Sequence, residues 1–573
     1  MPLAAQSNED ELAALRLADE PAGRECAEDG GASAAGDAVS AQALSRAASD
    51  GAEEGNTGRA SAPAHAARSA SADGASSVSA DAGEAKYEDA CGGEDDTSAS
   101  WRARSKHVLV VSDAGKPIYS RHGASERLAG FAASLQAMTA YASAGGQGGA
   151  LRWARRGHVT LVALRRGPLL LVAVARTDEA PGELASQLAR LHALLLAVLT
   201  SAFERALARR PTFDLRSLLG GCGALLDTWV DASDASAAGA LGAWAPLALD
   251  QRARAAASHA LAAAAGRARC AGVVLAAALA PGGRVAALAH PSGAAPHVGD
   301  VALLAHFVAA SADSFRAGDE ALSPLCLPHA DRARFAHVHV TFARADAAAA
   351  EGGGDDGGAR GELAVVLVAG GAAAREPEAL EALSAAAGVA RERLAASGVL
   401  EDVAEAVADG GGGGGALDAA VAPPSGPVLQ WALHAASRGQ VATATVPRGG
   451  VGAAEAVAAY KRVRALALPQ RDELCDDGRG AGSDGGGGST SGEAGGGWDG
   501  GAVCASEGVQ RFFFASPRGE GEPAAALLTS PPGDLYVALD ALVTRRRAMA
   551  ACQELAARLR QREATLLAES TQW

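Results

Sequence analysis

The chain has 573 residues, 49% of them hydrophobic and only 4% aromatic, with a formal net charge of −15. That length holds two to four domains, whose cores must be packed mainly from Leu, Val and Ala. The acidic balance argues against a nucleic-acid partner, which requires a basic face.

The charge is unevenly spread. The first hundred residues carry 20 acidic and 6 basic side chains in a Ser/Ala/Gly-rich background. Such a run buries too little apolar surface to offset its ordering entropy, so residues 1–104 are predicted to be disordered. The start, "MPLAAQSNEDELAALRLADE", is acidic, unlike a secretory signal or an Arg-rich transit peptide. No continuous run of about 18 apolar residues stands out as a bilayer span. Eight scattered cysteines, with no C-x-x-C pair, suit a reducing compartment and free thiols. A cytoplasmic protein is the expectation.

Folded pattern begins at Lys106. "HVLVVS" and "PIYSRHG" flank the turn "DAGKP", a hairpin. Leu128, Phe131, Leu135 and Met138 step by three and four, predicting a helix over 126–142. Apolar runs around Trp153, at "HVTLVALRR" and at "PLLLVAVAR" predict three strands, and Leu184, Leu188, Leu191, Leu195, Leu199 and Phe203 predict a long helix over 183–209. The same order returns twice. "AGVVLAAALAPGGRVAALAH" and "VLQWALHAASRGQVATATV" read as hairpins, each followed by a helix, three strands and a closing helix. The reading is an α/β sandwich repeated three times, each copy a mainly antiparallel five-stranded sheet flanked by helices. The domains are predicted at 105–232, 267–400 and 427–573. A helical linker (233–266) and a Gly/Pro linker (401–426) separate them, with Gly-rich insertions near 350–360 and 470–508.

Gly115-Lys116 lacks the upstream glycine and following Ser/Thr of a phosphate-binding loop, and a second strand follows it instead of a helix. It is a hairpin turn. Cys326 and His329, with His337 and His339 alternating along a strand, form the nearest approach to a zinc set. The spacing favours ordinary strand and turn histidines, so no metal and no cofactor is expected. No G-x-S-x-G elbow is present. Arg545, Arg546 and Arg547 open the last helix and are candidates for contact with an anionic membrane.

The phrases "KHVLVVSDAGKPIYSRHG", "RRGPLLLVAVARTD", "FDLRSLLGGCGALLDTWVD" and "LCLPHADRARFAHVHVTF" resemble the vacuolar-fusion SAND family, the Mon-one proteins. The likeness covers Lys106 to Asp231, Arg269 to Phe342, and Val428 onward. It implies three longin domains, and the element order read from periodicity agrees with that. It further implies one subunit of a heterodimeric guanine-nucleotide exchange factor, partnered by a Ccz-one-type longin protein and serving a Rab-seven-type GTPase. An upstream Rab-five-type GTPase and phosphoinositide membranes would assist recruitment to late endosomal, prevacuolar or vacuolar membranes. The alternative is a non-catalytic longin adaptor or tether. In either case the work falls to protein surfaces. Lys116, Tyr119, Arg121, Arg165 and Arg166, at turns and strand ends of the first module, are the candidate contacts, while Val108, Val110, Leu170, Val172, Leu191 and Leu195 are expected to be core.

Overall fold

In the computed structural model of the protein, the described residues are 94–144, 151–177, 179–211, 213–317, 320–344, 362–408, 426–445, 451–467, 510–519 and 521–573. They contain three sheets of one design. The first is built from β1 (Lys106–Ser112), β2 (Pro117–Ser120), β3 (Trp153–Arg156), β4 (Val159–Arg166) and β5 (Leu169–Ala175). Their order is β2-β1-β5-β4-β3, antiparallel throughout. The hairpin and the three-strand meander are therefore both present. What joins them is the β1–β5 pairing, from Lys106↔Ala175 to Ser112↔Leu169. Both of these central strands are covered on two faces, which is why they read as continuous apolar runs instead of alternating ones.

Helix α1 (Ala129–Ala144) covers one face, where Leu128, Ala132 and Leu135 meet Leu109, Leu170 and Val172. Helix α2 (Pro181–Leu199) covers the other, where Leu184, Leu188, Leu191 and Leu195 meet Val108, Val110 and Leu171. By length and composition α2 could cross a membrane, yet most of it is buried against this sheet. The predicted single helix over 183–209 is broken. Thr200 adopts φ 57°, and α3 (Ala202–Arg209) starts beyond it. The reason is tertiary. The N–H of Ser201 donates to the carbonyl of Arg332 (2.7 Å), and the carbonyl of Ala197 accepts from Cys326 (2.8 Å), so the helix end serves the second module.

Helices α4 (Gly223–Ala235), α5 (Ala237–Leu241) and α6 (Gln251–Arg267) lead onward. Residues 233–266, expected as a helical linker, contain α5 and nearly all of α6, and α6 does more than link. It lies against the second sheet, and its Ala257, Leu261 and Ala264 are fully buried there.

The second sheet uses β6 (Val273–Ala280), β7 (Arg284–His290), β8 (Glu320–Leu325), β9 (Ala336–Arg344) and β10 (Glu362–Ala369). Helix α7 (Val298–Ala310) follows the hairpin, and α8 (Pro377–Ala396) and α9 (Val399–Ala408) close the module. The third sheet uses β11 (Val428–Ala435), β12 (Gln440–Thr445), β13 (Arg511–Ala515), β14 (Ala524–Ser530) and β15 (Gly533–Leu539), flanked by α10 (Ala453–Ala467) and α11 (Arg545–Gln561). Both sheets repeat the strand order of the first.

Three expectations change. The second sheet has six strands, not five, because β16 (Ser570–Gln572) leaves the third module and pairs in parallel with β7, opposite Leu288, Ala289 and His290. Residues 94–104, expected to be disordered, contain a helical turn whose Trp101 is buried and stacks on His107 at 3.7 Å. Residues 401–408, assigned to a Gly/Pro linker, belong to α9, where Val403 is fully buried. The disorder expected for the rest of the acidic N-terminal region, for the two Gly-rich insertions and for the rest of that linker concerns positions outside the described residues.

Candidate functional site

The sequence directs attention to the first module's β1–β2 edge. Gly115, at φ 76°, makes the turn, and the Ser112 hydroxyl accepts from the Lys116 N–H (3.1 Å). Strand β2 has a sheet partner on one side alone, β1. Residues 213–235 strap across this edge. Leu215, Leu218, Leu219, Leu225 and Leu226 enter the same core as Ile118 and Tyr119.

The strap also claims three of the candidate contact residues. The Lys116 ammonium lies 2.8 Å from Asp214. The Tyr119 hydroxyl donates to Asp227 (2.6 Å), and the Arg121 guanidinium donates to both oxygens of Asp231 (2.7 and 2.6 Å). Tyr119 is buried, not a surface handle. These three side chains hold the module together. Their partners all lie in "FDLRSLLGGCGALLDTWVD", and the signal that could have paired them was the i, i+4 placement of Asp227 and Asp231 on one helical face. Hydrogen bonds from Arg216, and then from Lys116, outweigh partial burial and hold Asp214 well below the usual carboxylate range. Asp227 goes the other way: burial, then the charge of Asp231, pushes it up to about 7.

Arg165, near the end of β4, pairs with Asp113 in the β1–β2 turn. Arg166 instead lines a cleft between the three modules. Arg545, Arg546 and Arg547 are exposed at the start of α11, where Thr544 caps the Arg547 N–H, and Leu542 just before them is 92% exposed. Three arginines at a helix N-terminus oppose the helix dipole, so their charge is not there to stabilise the helix.

The zinc constellation is not assembled. The Cys326 thiol donates to the Asp331 carbonyl, and burial pushes it up to about 12. His329 binds Asp300 (2.8 Å) and stacks on His297 at 3.8 Å, while His339 faces Glu320 (3.2 Å). Among the described residues no group of three or more His, Cys, Asp or Glu could hold a metal ion.

A feature that periodicity could not reveal ties the first module to the third. Lys106 of β1 and Lys461 of α10 both contact Glu179, which is fully buried, and both pair with Asp234 of α4. Burial pushes Glu179 up, but the two ammonium groups outweigh it and hold its carboxyl below the ordinary range.

Three sheets of β2-β1-β5-β4-β3 order between helices, the first crossed by a strap and tied to the third by an ion cluster, define a protein of three longin-type modules. Residues 106–229 match the family described as the first longin domain of FUZ, MON1 and HPS1. The chain is 36% identical over 249 residues to the vacuolar fusion protein MON1 homolog of Arabidopsis thaliana, covering 44% of this chain and 40% of that protein. It is 37% identical over 249 residues to the Oryza sativa homolog, covering 44% and 42%, and 36% identical over 270 residues to human MON1 homolog B, covering 45% and 47%. The matched part thus spans under half the length of these curated relatives. Over that matched part the chain is similar to the MON1 proteins, the group its sequence phrases resemble.

Proposed function

We propose that the protein is a subunit of a heterodimeric guanine-nucleotide exchange factor in endosome-to-vacuole trafficking and vacuole fusion, acting on a Rab-seven-type GTPase beside a Ccz-one-type longin partner. The observation that carries this reading is the match of residues 106–229 to a longin domain shared with MON1, together with relatives named as vacuolar fusion proteins.

Exchange needs no nucleophile. A GTPase that holds its nucleotide with nanomolar to picomolar affinity, about 12 to 16 kcal/mol, is opened by a surface that binds the nucleotide-free form better. Each tenfold acceleration requires about 1.4 kcal/mol of such differential contact. With Lys116, Tyr119 and Arg121 committed to the strap, the first module's available surface shifts toward β3, whose four residues are all exposed, and toward Trp153 and Tyr141, which are 41% and 83% exposed. Recruitment to late endosomal or vacuolar membranes would draw on Arg545, Arg546 and Arg547, on anionic phosphoinositide lipids and on an upstream Rab-five-type GTPase.

The test is release of fluorescent GDP from a Rab-seven-type GTPase by the purified chain assembled with its Ccz-one-type partner. Acceleration by the pair, reduced by Trp153→Ala, is expected. An assembled pair that leaves release unchanged would leave the adaptor or tether in its place.

A further inference from the structure

One cavity has no part in the exchange reading. It is a cleft of about 1320 Å³ where all three modules meet: β4 and α2 of the first, α4 and α5, the β6–β7 turn and α7 of the second, and the β11–β12 turn of the third. That is the size of a pocket for a substantial organic molecule. Its position is fixed by close approaches. A Cβ on Gly439 would fall within 1.8 Å of Val298, and one on Gly242 within 2.5 Å of the Arg190 guanidinium.

The charge of its wall is opposite to that of the chain. Three arginines (Arg166, Arg190, Arg332) and five histidines line it against a single carboxylate, Glu204, in a protein of net charge −15. Arg332 donates to both oxygens of Glu204 (2.9 and 2.8 Å), which answers one positive charge. Arg190 donates to neutral groups, the Ser186 hydroxyl (3.1 Å) and the Gly239 carbonyl (3.0 Å), and Glu183 and Glu179 act on its charge only through space. His297 caps the N-terminus of α7, and its ring stacks on His329, bringing two imidazoles and a helix end to one wall. From the third module His434 also lines the cleft; it is 3% exposed, and its buried Nδ1 has no hydrogen-bond partner within the protein. A buried polar atom is costly when left unsatisfied. Apolar side chains of α2 and α7, Leu196 and Leu303 among them, supply the remaining wall.

We propose that this junction cleft binds a small organic anion carrying several phosphates, clasped by arginine charge and imidazole N–H donors from all three modules. Guanidinium groups match phosphate oxygens in geometry as well as charge. A ligand touching all three modules stabilises their mutual arrangement by mass action.

The experiment titrates the full chain with inositol hexakisphosphate, with inorganic phosphate, and with vesicles containing phosphatidic acid. Saturable binding of the hexakisphosphate is expected, with slower hydrogen exchange at Gly239–Ala243 and Ala436–Gly439. The Arg332→Gln/His329→Gln double variant, altered at partly exposed side chains, should bind at least about tenfold more weakly, a loss of about 1.4 kcal/mol. The triple variant Arg545→Gln/Arg546→Gln/Arg547→Gln should bind as the parent does. Vesicle binding lost in the double variant would support the site with a lipid headgroup as its source, and binding of the soluble ligand alone would support it with a soluble one. Equal binding by the double variant, an equal loss in the triple variant, or inorganic phosphate binding as tightly as the hexakisphosphate would overturn the proposal. Unchanged melting temperature without ligand confirms that the double variant folds.

Discussion

Helices α2 and α8 occupy equivalent places, each following the fifth strand of its module and each opening with a proline, Pro181 and Pro377. They are packed differently. Helix α2 buries Leu184, Leu188, Leu191, Leu194, Leu195 and Leu199 against its sheet. Helix α8 buries Ala379, Ala386, Ala387 and Ala390 beside Leu383 and Leu394, and meets a second helix, α6, through that helix's own alanines. Large side chains fill the space between a helix and a sheet, whereas small ones let two helices approach closely. The first module is therefore a leucine core that tolerates no loss of volume. The α6–α8 face of the second is an alanine-rich core that tolerates no gain, while its α7 face is packed with Leu and Val.

The sharpest way to test this contrast is Leu191→Ala, which should cost about 2 to 5 kcal/mol, because the leucine is 1% exposed and its site cannot collapse. A chemical denaturation midpoint for the first module near that of the parent would show that α2 is not packed as described. Next comes the converse, Ala257→Leu on α6. Overpacking a fully buried alanine should cost about 1 to 3 kcal/mol, while the same change at an exposed position of α6 should cost almost nothing.

A smaller effect is expected at the polar seam. Lys461→Met removes one of the two ammonium groups facing Glu179 but leaves Lys106 in place, so the loss should be about 1 to 2 kcal/mol. It should appear as faster hydrogen exchange in both β1 and α10, and a change confined to α10 would break the link between the modules.

Smallest is Asp227→Asn in the strap. Because Asp227 is pushed up to about 7, the folded protein binds more protons than the unfolded chain between the ordinary carboxylate range and pH 7. Stability therefore falls as pH rises through that window. Asparagine keeps an acceptor for the Tyr119 hydroxyl without the charge, so it should gain roughly 1 kcal/mol at pH 8 after allowance for solvent screening, and little at pH 4. A variant less stable at pH 8 would contradict the strap's electrostatics.

The same contrast explains what could be read in advance. Leucines at three- and four-residue steps announced α2, and the three hairpins and meanders were visible as apolar runs between turn residues. Helix α6 was read as a linker because alanine marks neither face of a helix: its buried Ala257, Ala260 and Ala264 look like the exposed alanines beside them. The candidate contacts Lys116, Tyr119 and Arg121 were correctly placed at turns and strand ends. Their engagement by Asp214, Asp227 and Asp231, about a hundred residues away, was not visible. The cleft was wholly hidden, since its imidazoles come from four separate stretches of chain.

Sequence alone determined the three-fold repeat, the leucine face of α2 and the hairpin nature of Gly115-Lys116. All of these follow from local spacing and turn chemistry, which neighbours in sequence dictate. Tertiary structure decided the break at Thr200, the transfer of β16 to the second sheet, the Lys106–Glu179–Lys461 cluster and the basic wall of the cleft. Each depends on which groups meet after the chain closes on itself, where burial and distance set the strength of a charge or hydrogen bond.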